Sequence, residues 1–296
     1  MKLALRRVAA VTVALFTAAS AADAQTPAKP AAPLPSLPAT GGSGAAAQEA
    51  ALSLGAVFAG EGKFIRSGLV WRVYADRGDN AAPTLVARSN EPLPVFSLPT
   101  GNYIVHVAYG FASATKRLVL RGNLLDRLTV SAGGLRVGGA ISGTPIPASR
   151  LTFSVYVPVG SYSEGRLVVA NAKAGELLRL PEGTYHVVSN YGDTNASQRA
   201  DLKVEAGKIT DATLNHRAAT VTLKLVRLPG GEAFAGTAFS VLTPGGDVIR
   251  EAIGAFPSLV LAEGDYVVIA RHEGQVYTRE FKVESGNDRD IEVVAR

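Results

Sequence analysis

The stretch Leu98-Pro-Thr-Gly101-Asn-Tyr103-Ile-Val105 occurs twice more along the chain. The other copies are Leu180-Pro-Glu-Gly183-Thr-Tyr185-His-Val187 and Leu261-Ala-Glu-Gly264-Asp-Tyr266-Val-Val268. Their glycines lie 82 and 81 residues apart, and a fixed period of this length is typical of tandem copies of one small domain. The chain is therefore predicted to contain three such modules.

Each copy of the stretch predicts a structural tyrosine corner. Glycine accepts a positive φ in a tight turn, and a tyrosine two residues later buries its ring while its hydroxyl bonds to the turn backbone. In β-sandwiches such a corner stands near the point where the chain passes between strands of the Greek key. We expect these corners at Gly101 and Tyr103, at Gly183 and Tyr185, and at Gly264 and Tyr266, which are the site residues that the sequence singles out.

Short alternating apolar stretches flank every corner and are separated by Gly, Asn, Asp and Pro turns, as in all-β sandwiches. Trp71, the single tryptophan, takes the position of Phe153 and Phe239 in the other copies, which predicts a core ring. About seven strands per copy indicate an all-β chain of three tandem small Greek-key β-sandwiches, Ig-like or transthyretin-like. The predicted modules are residues 51–133, 134–217 and 218–296.

The amino terminus has the features of a secretory signal peptide. Positive charge precedes an apolar run at residues 8–19, which is too short to span a bilayer, and Ala22-Asp23-Ala24 fits a small-x-small cleavage site. We expect export to the periplasm, the cell surface or the medium after removal of residues 1–24. An uncleaved anchor is the alternative. Residues 25–50, rich in Pro, Ala and Gly, are predicted to form a disordered linker.

Composition limits the classes of partner. The chain has no cysteine, so it has no disulfide, no thiol nucleophile and no lipoprotein attachment site. Removing the predicted signal peptide takes away three basic residues and one acidic residue and lowers the net charge from +5 to +3. Basic residues are scattered and do not cluster with aromatic residues. We therefore expect no nucleic-acid binding, and no membrane span once the signal is cleaved.

Candidate chemistry is sparse. The histidines His106, His186, His216 and His272 share no spacing that suits metal ligands, so we expect them on solvated strand surfaces. The loops Asp76-Arg-Gly-Asp79-Asn80 and Asn287-Asp288-Arg-Asp290 offer fewer oxygens than calcium needs. Lys224 is placed outward by strand alternation, away from the dry core that a Lys-to-Asn crosslink requires. We expect no catalytic residue, no metal and no cofactor.

The order of strands around each corner resembles a known group of modules. An apolar-x-x-Gly-x-Tyr-x-apolar corner is followed by a strand, a glycine turn such as Gly207 or Gly286, and a final strand. This order is similar to the transthyretin-like or carboxypeptidase-regulatory-like modules of bacterial exported proteins, and it covers nearly all of the chain after the linker. The resemblance implies an accessory or binding module of an envelope assembly, without catalytic residues.

Two functions from different classes follow from the sequence. The first is a non-enzymatic exported envelope protein whose tandem modules bind an unidentified protein or glycan, or act as a spacer. The second is an accessory part of an envelope enzyme, or an enzyme whose site is not visible in the sequence. Near-equal module lengths favour the first, because an enzyme usually enlarges one module with site-forming loops.

Overall fold

The computed structural model describes residues 48–78, 81–160 and 162–296, with residues 162–164 as backbone only. The predicted signal peptide and nearly all of the predicted linker lie outside the described residues. The described chain is built from β-strands, with one 3₁₀ turn at Ala148–Arg150. Within it, no helix has the length and apolar character needed to cross a membrane.

The strands fall into three successive groups that repeat one order. The first group is β1 Glu49–Phe58, β2 Leu69–Ala75, β3 Thr84–Ser89, β4 Val95–Pro99, β5 Gly101–Tyr109, β6 Ala112–Leu120 and β7 Leu124–Val130. The second is β8 Ala132–Ile141, β9 Thr144–Pro145, β10 Leu151–Val159, β11 Tyr162–Lys173, β12 Leu178–Pro181, β13 Gly183–Tyr191, β14 Ser197–Val204 and β15 Ile209–Asn215. The third is β16 Ala218–Val226, β17 Ala238–Leu242, β18 Val248–Ile253, β19 Ser258–Ala262, β20 Gly264–His272, β21 Gln275–Val283 and β22 Arg289–Val294.

Each group forms two sheets. In module 1 the three-stranded sheet has the order β4-β1-β7, with β1 antiparallel to β4 and parallel to β7. The four-stranded sheet has the order β3-β2-β5-β6 and is antiparallel. Module 2 repeats this with β12-β8-β15 and β11-β10-β13-β14, and module 3 with β19-β16-β22 and β18-β17-β20-β21. The predicted all-β fold of tandem sandwiches is confirmed.

Two strand starts differ from the expected module limits. β1 begins at Glu49, although residues up to 50 were expected in the linker, and Ala50 is buried opposite Leu98. β8 begins at Ala132, two residues before the expected start of module 2 at residue 134. Gly133 is needed there for a close approach, because a Cβ would fall against the carbonyl oxygens of Glu205 and Lys208. Small residues in these segments allow tight strand packing, which composition alone cannot distinguish from a linker or turn.

Every module buries its own apolar core between its two sheets. Trp71, Phe153 and Phe239 lie in these cores with 0–1% exposure, which confirms the prediction for the single tryptophan. Its indole Nε1 donates a hydrogen bond to the carbonyl of Glu91 at 3.0 Å. This bond satisfies the polar end of a ring that is otherwise surrounded by apolar side chains.

Candidate functional site

The three predicted corner tyrosines occupy the same place in the three modules. β4 and β5 belong to different sheets and are separated by one residue, so the corner lies where the chain changes sheet. Each ring is 3–5% exposed. The hydroxyl of Tyr103 donates to the carbonyl of Pro99 at 2.7 Å, that of Tyr185 to Pro181 at 2.8 Å, and that of Tyr266 to Ala262 at 2.8 Å.

The corner glycines have a different role from the one expected. Gly101 does not have a positive φ, and the φ angles of Gly183 and Gly264, 159° and 158°, are close to fully extended backbone. A left-handed turn is therefore not the common feature of the three corners. In every case a Cβ placed on the glycine would have atoms of the corner tyrosine ring as its nearest neighbours, at 3.7–4.0 Å. The glycine thus lies beneath the ring, whose burial raises the pKa of all three tyrosines.

A second glycine that recurs in the modules lies at the junction between modules 1 and 2. Gly110 directly follows β5, and its backbone lies against Arg179 of β12. The amide of Phe111 donates to the carbonyl of Arg179 at 2.9 Å, and the Arg179 guanidinium lies 5.2 Å from the ring centroid of Tyr109. Backbone hydrogen bonding and a cation–π contact therefore join the β5–β6 hairpin tip to the next module.

The junction between modules 2 and 3 uses the equivalent positions. Gly192 lies against Val260, and both Arg179 and Val260 precede a corner glycine by four residues. The Asn195 side-chain amide donates to the Tyr266 hydroxyl at 2.8 Å, and its oxygen accepts from the amide of Ala262 at 3.1 Å. The corner of module 3 is thereby held by a side chain of module 2.

A further pair of contacts is also repeated at both junctions. A Cβ on Gly207, in the turn between β14 and β15, would lie 3.3–3.4 Å from Glu61 and Phe58 at the end of β1. A Cβ on Gly286, in the turn between β21 and β22, would likewise meet Ile141 at 3.3 Å at the end of β8. Modules 1 and 2 therefore each contact the following module through a hairpin tip and through the end of their first strand.

His216 contradicts the expectation that the histidines lie on solvated surfaces. It is 2% exposed, and its Nε2 lies 2.7 Å from the hydroxyl of Ser189, which is fully buried. Burial lowers the pKa of His216. Ser189 lies on β13, whereas His216 directly follows β15 of the opposite sheet. A sequence search for residues on the same face of one strand therefore does not detect this contact. This serine–histidine pair is enclosed in the module 2 core, where no substrate reaches it.

Several of the other polar groups considered in the sequence have structural partners. His186 Nδ1 lies 2.8 Å from Asp201 Oδ1 on the neighbouring strand. Asp288 accepts a hydrogen bond from the amide of Thr220 at 2.7 Å, and Asp290 pairs with Lys224. Asp79 and Asn80 of the first acidic loop lie outside the described residues. Among the described residues, no group of three or more His, Cys, Asp or Glu has a metal-binding arrangement.

Arg179, Asn195 and the hairpin-tip glycines were not singled out from the sequence. A signal for the glycines exists, because Gly110, Gly192 and Gly274 follow the corner tyrosines by seven or eight residues. Arg179 and Asn195 gave no such signal, since the equivalent positions hold different residues in the other modules. Repeat alignment finds the contact point but not the side chain that fills it.

Comparison with known families finds a match for module 3. A model described as the Rhizobiales growth-associated tandem repeat domain matches residues 220–295. This segment contains nearly all of β16 to β22, so the matched unit coincides with one sandwich. A comparison with curated proteins found no match.

Several solved structures align with the chain. The Bacillus anthracis TIE protein aligns at 16% identity and a TM-score of 0.26. The alignment covers 84% of this chain but only 50% of the TIE protein chain. The Bacillus cereus major pilin BcpA aligns at 10% identity and a TM-score of 0.24, and the alignment covers 84% of this chain and 100% of the pilin chain. The streptococcal ancillary pilin aligns at 11% identity and a TM-score of 0.29, and the alignment covers 84% of this chain and 99% of the pilin chain. Likeness at this level carries no argument about what this chain binds.

Replacing a corner tyrosine by phenylalanine tests the hydroxyl bond. We expect Tyr103→Phe and Tyr185→Phe each to lower the free energy of unfolding by about 1–3 kcal/mol, because the part-buried hydrogen bond from the hydroxyl to the proline carbonyl is lost. Urea unfolding followed by far-UV circular dichroism measures the change. Tyr277→Phe, in β21 and away from the corners, is the control and should change it by less than about 0.5 kcal/mol. Equal effects at all three positions would contradict a structural role for the hydroxyl.

Alanine at the hairpin-tip glycines tests the junction. Gly110 and Gly274 both have left-handed backbone, with φ of 62° and 80°, so alanine costs about 1–2 kcal/mol of strain at either. A Cβ at Gly110 would also lie 2.6 Å from Arg179 Cβ, whereas one at Gly274 meets nothing within 4 Å. We expect Gly110→Ala to destabilise by about 1–3 kcal/mol more than Gly274→Ala. Similar urea midpoints for the two variants would show that the junction accommodates the extra methyl group with no loss of stability.

Proposed function

We propose that this chain is a non-enzymatic exported envelope protein whose three modules bind a protein or glycan partner or hold such a partner at a set spacing. The observation that carries the proposal is the repeated junction. Gly110 against Arg179 and Gly192 against Val260 join consecutive modules by equivalent contacts. Such an array presents several sheet faces in a defined order, which suits binding or spacing.

The use of polar groups supports a non-catalytic role. Ser189 and His216 are enclosed in a core, and His186 is paired with Asp201. Arg217, between β15 and β16, forms an ion pair with Glu263, between β19 and β20. Its Nε and Nη2 each donate a hydrogen bond of 2.9 Å to one carboxylate oxygen of Glu263. These groups hold strands together, and the sandwich fold itself accommodates many unrelated functions.

The proposal includes the family assignment and the location. The seven-strand order and the tyrosine corners support membership among transthyretin-like or carboxypeptidase-regulatory-like modules. The basic and apolar amino terminus with Ala22-Asp23-Ala24 supports export to the periplasm or cell surface. The proline-rich stretch after it supports a tether between the modules and their point of attachment.

Fractionation of cells that express the full chain tests the proposal. We expect the mature protein to begin at Gln25 by mass spectrometry and to be retained by a purified envelope fraction. An exported protein of similar net charge serves as the control for nonspecific retention. An intact Met1, or a chain that is washed from the envelope as readily as the control, would contradict the proposal.

A further inference from the structure

The outer face of the four-stranded sheet of module 1 carries an unusual set of side chains. Cross-strand pairing places Arg88, Arg72, His106 and Thr115 in one row across β3, β2, β5 and β6. The next row is Leu85, Tyr74, Ile104 and Arg117. The residues between the two rows along β2 and β5, Val73 and Val105, are buried, so both rows face away from the core.

A hollow of about 330 Å³ lies on this face. It is lined by Tyr74, Pro83, Ile104, His106 and Thr115. The lining combines an aromatic ring and apolar surface with hydroxyl and imidazole groups. Its volume is near the lower end of the range for small-molecule sites, which suits one or two sugar rings.

His106 has an unused hydrogen-bonding atom. Its Nδ1 is covered by surrounding atoms and has no hydrogen-bond partner among the described residues. Burial, and secondarily the charge of Arg72, lower the pKa of His106, so the ring is neutral near pH 7. Because Nδ1 is covered, a ligand in the hollow would meet the part of the half-buried His106 ring that remains exposed.

The charge around the hollow is positive. The rows that border it carry the guanidinium groups of Arg72, Arg88 and Arg117. Asp76 directly follows β2, and its Oδ2 lies 3.6 Å from Nε of Arg117. Guanidinium groups bind carboxylates through paired hydrogen bonds, so this rim suits an anionic ligand.

The other modules reverse this charge at the same sheet position. Arg117 lies opposite Ile104, whereas Asp201 lies opposite His186 in module 2 and Glu280 lies opposite Val267 in module 3. Arg72 is likewise replaced by Ser154 and Ser240 in the equivalent positions. The cationic hollow is therefore a property of module 1 and not a requirement of the repeated fold.

We propose that this hollow binds a carboxylated sugar residue, such as a uronic acid, of an acidic polysaccharide. The proposal rests on the proposed function and names its ligand class. The sugar ring packs on Tyr74 and Ile104, its hydroxyls bond to His106 and Thr115, and its carboxylate pairs with Arg72 or Arg88. A glycan is favoured over an acidic peptide because the neutral polar groups lie inside the hollow and the cations lie at its rim.

Calorimetric titration of the full mature chain with an oligogalacturonate at low salt tests this site. We expect binding that weakens as salt is raised, and no binding of a neutral galactan oligomer. Arg72→Gln combined with Arg88→Gln should weaken binding about tenfold or more, because both substitutions remove carboxylate partners from the exposed rim. Arg199→Gln, on the equivalent face of module 2, is the matched control and should leave the affinity unchanged.

Four outcomes overturn the proposal. The first is no oligogalacturonate binding. The second is an equal loss with Arg199→Gln, which would indicate general charge attraction. The third is polyglutamate binding with the same dependence on Arg72 and Arg88 and an affinity equal to or higher than that of the sugar, which would assign the hollow to acidic peptides. If the envelope fraction retains the double variant as well as the unaltered chain, the uronate site fails while the proposed function stands.

Discussion

The hydrogen bond from each corner tyrosine to the carbonyl four residues earlier fixes the point where the chain leaves one sheet and enters the other. In module 1 it links Tyr103 to Pro99, the last residue of β4. The strand that follows is the second-from-edge strand of the four-stranded sheet and pairs with both β2 and β6. An error in its start would shift its alternation and turn Val105 and Val107 away from the core. The corner thus sets the register on which the core depends.

The same corners organise the contacts between modules. The residue four positions before the corner glycine receives the hairpin tip of the preceding module, as Arg179 and Val260 show. At Tyr266 the link is direct, because Asn195 bonds both to the hydroxyl and to the backbone of Ala262. At this corner, the folding of module 3 and its docking to module 2 therefore share the same few atoms. This arrangement explains how sandwiches of about eighty residues, each with a limited core, gain stability from their neighbours.

Sequence reasoning recovered the parts of the structure that depend on local pattern. Alternation and the repeated stretch predicted the strands, the tandem sandwiches and the core position of Trp71, because each depends on residues close in sequence. It missed the burial of His216, whose partner Ser189 comes from the opposite sheet. It also assigned a left-handed turn to Gly101, which instead lies under the ring of Tyr103. The His216 contact depends on which distant residues meet, and a single sequence does not encode that pairing locally. The role of Gly101 depends on where the neighbouring Tyr103 ring lies, which the sequence motif does not specify.

The candidate site followed the same division. The corner tyrosines were visible as a motif, but the cationic hollow on module 1 was not, since Arg72, Arg88 and His106 come from three strands. Registers were needed to show that Arg117 stands where Asp201 and Glu280 stand in the other modules. Without registers, these arginines were indistinguishable from the basic residues scattered along the other strands.

The coupling between a corner and a junction is tested most directly by a double-mutant cycle on Asn195 and Tyr266. Free energies of unfolding would be measured for Asn195→Ala, Tyr266→Phe, the double variant and the unaltered chain. Because the two side chains share a hydrogen bond, we expect a coupling energy of about 0.5–3 kcal/mol. Additive effects, with a coupling energy near zero, would contradict the claim that the module 3 corner also carries the contact with module 2.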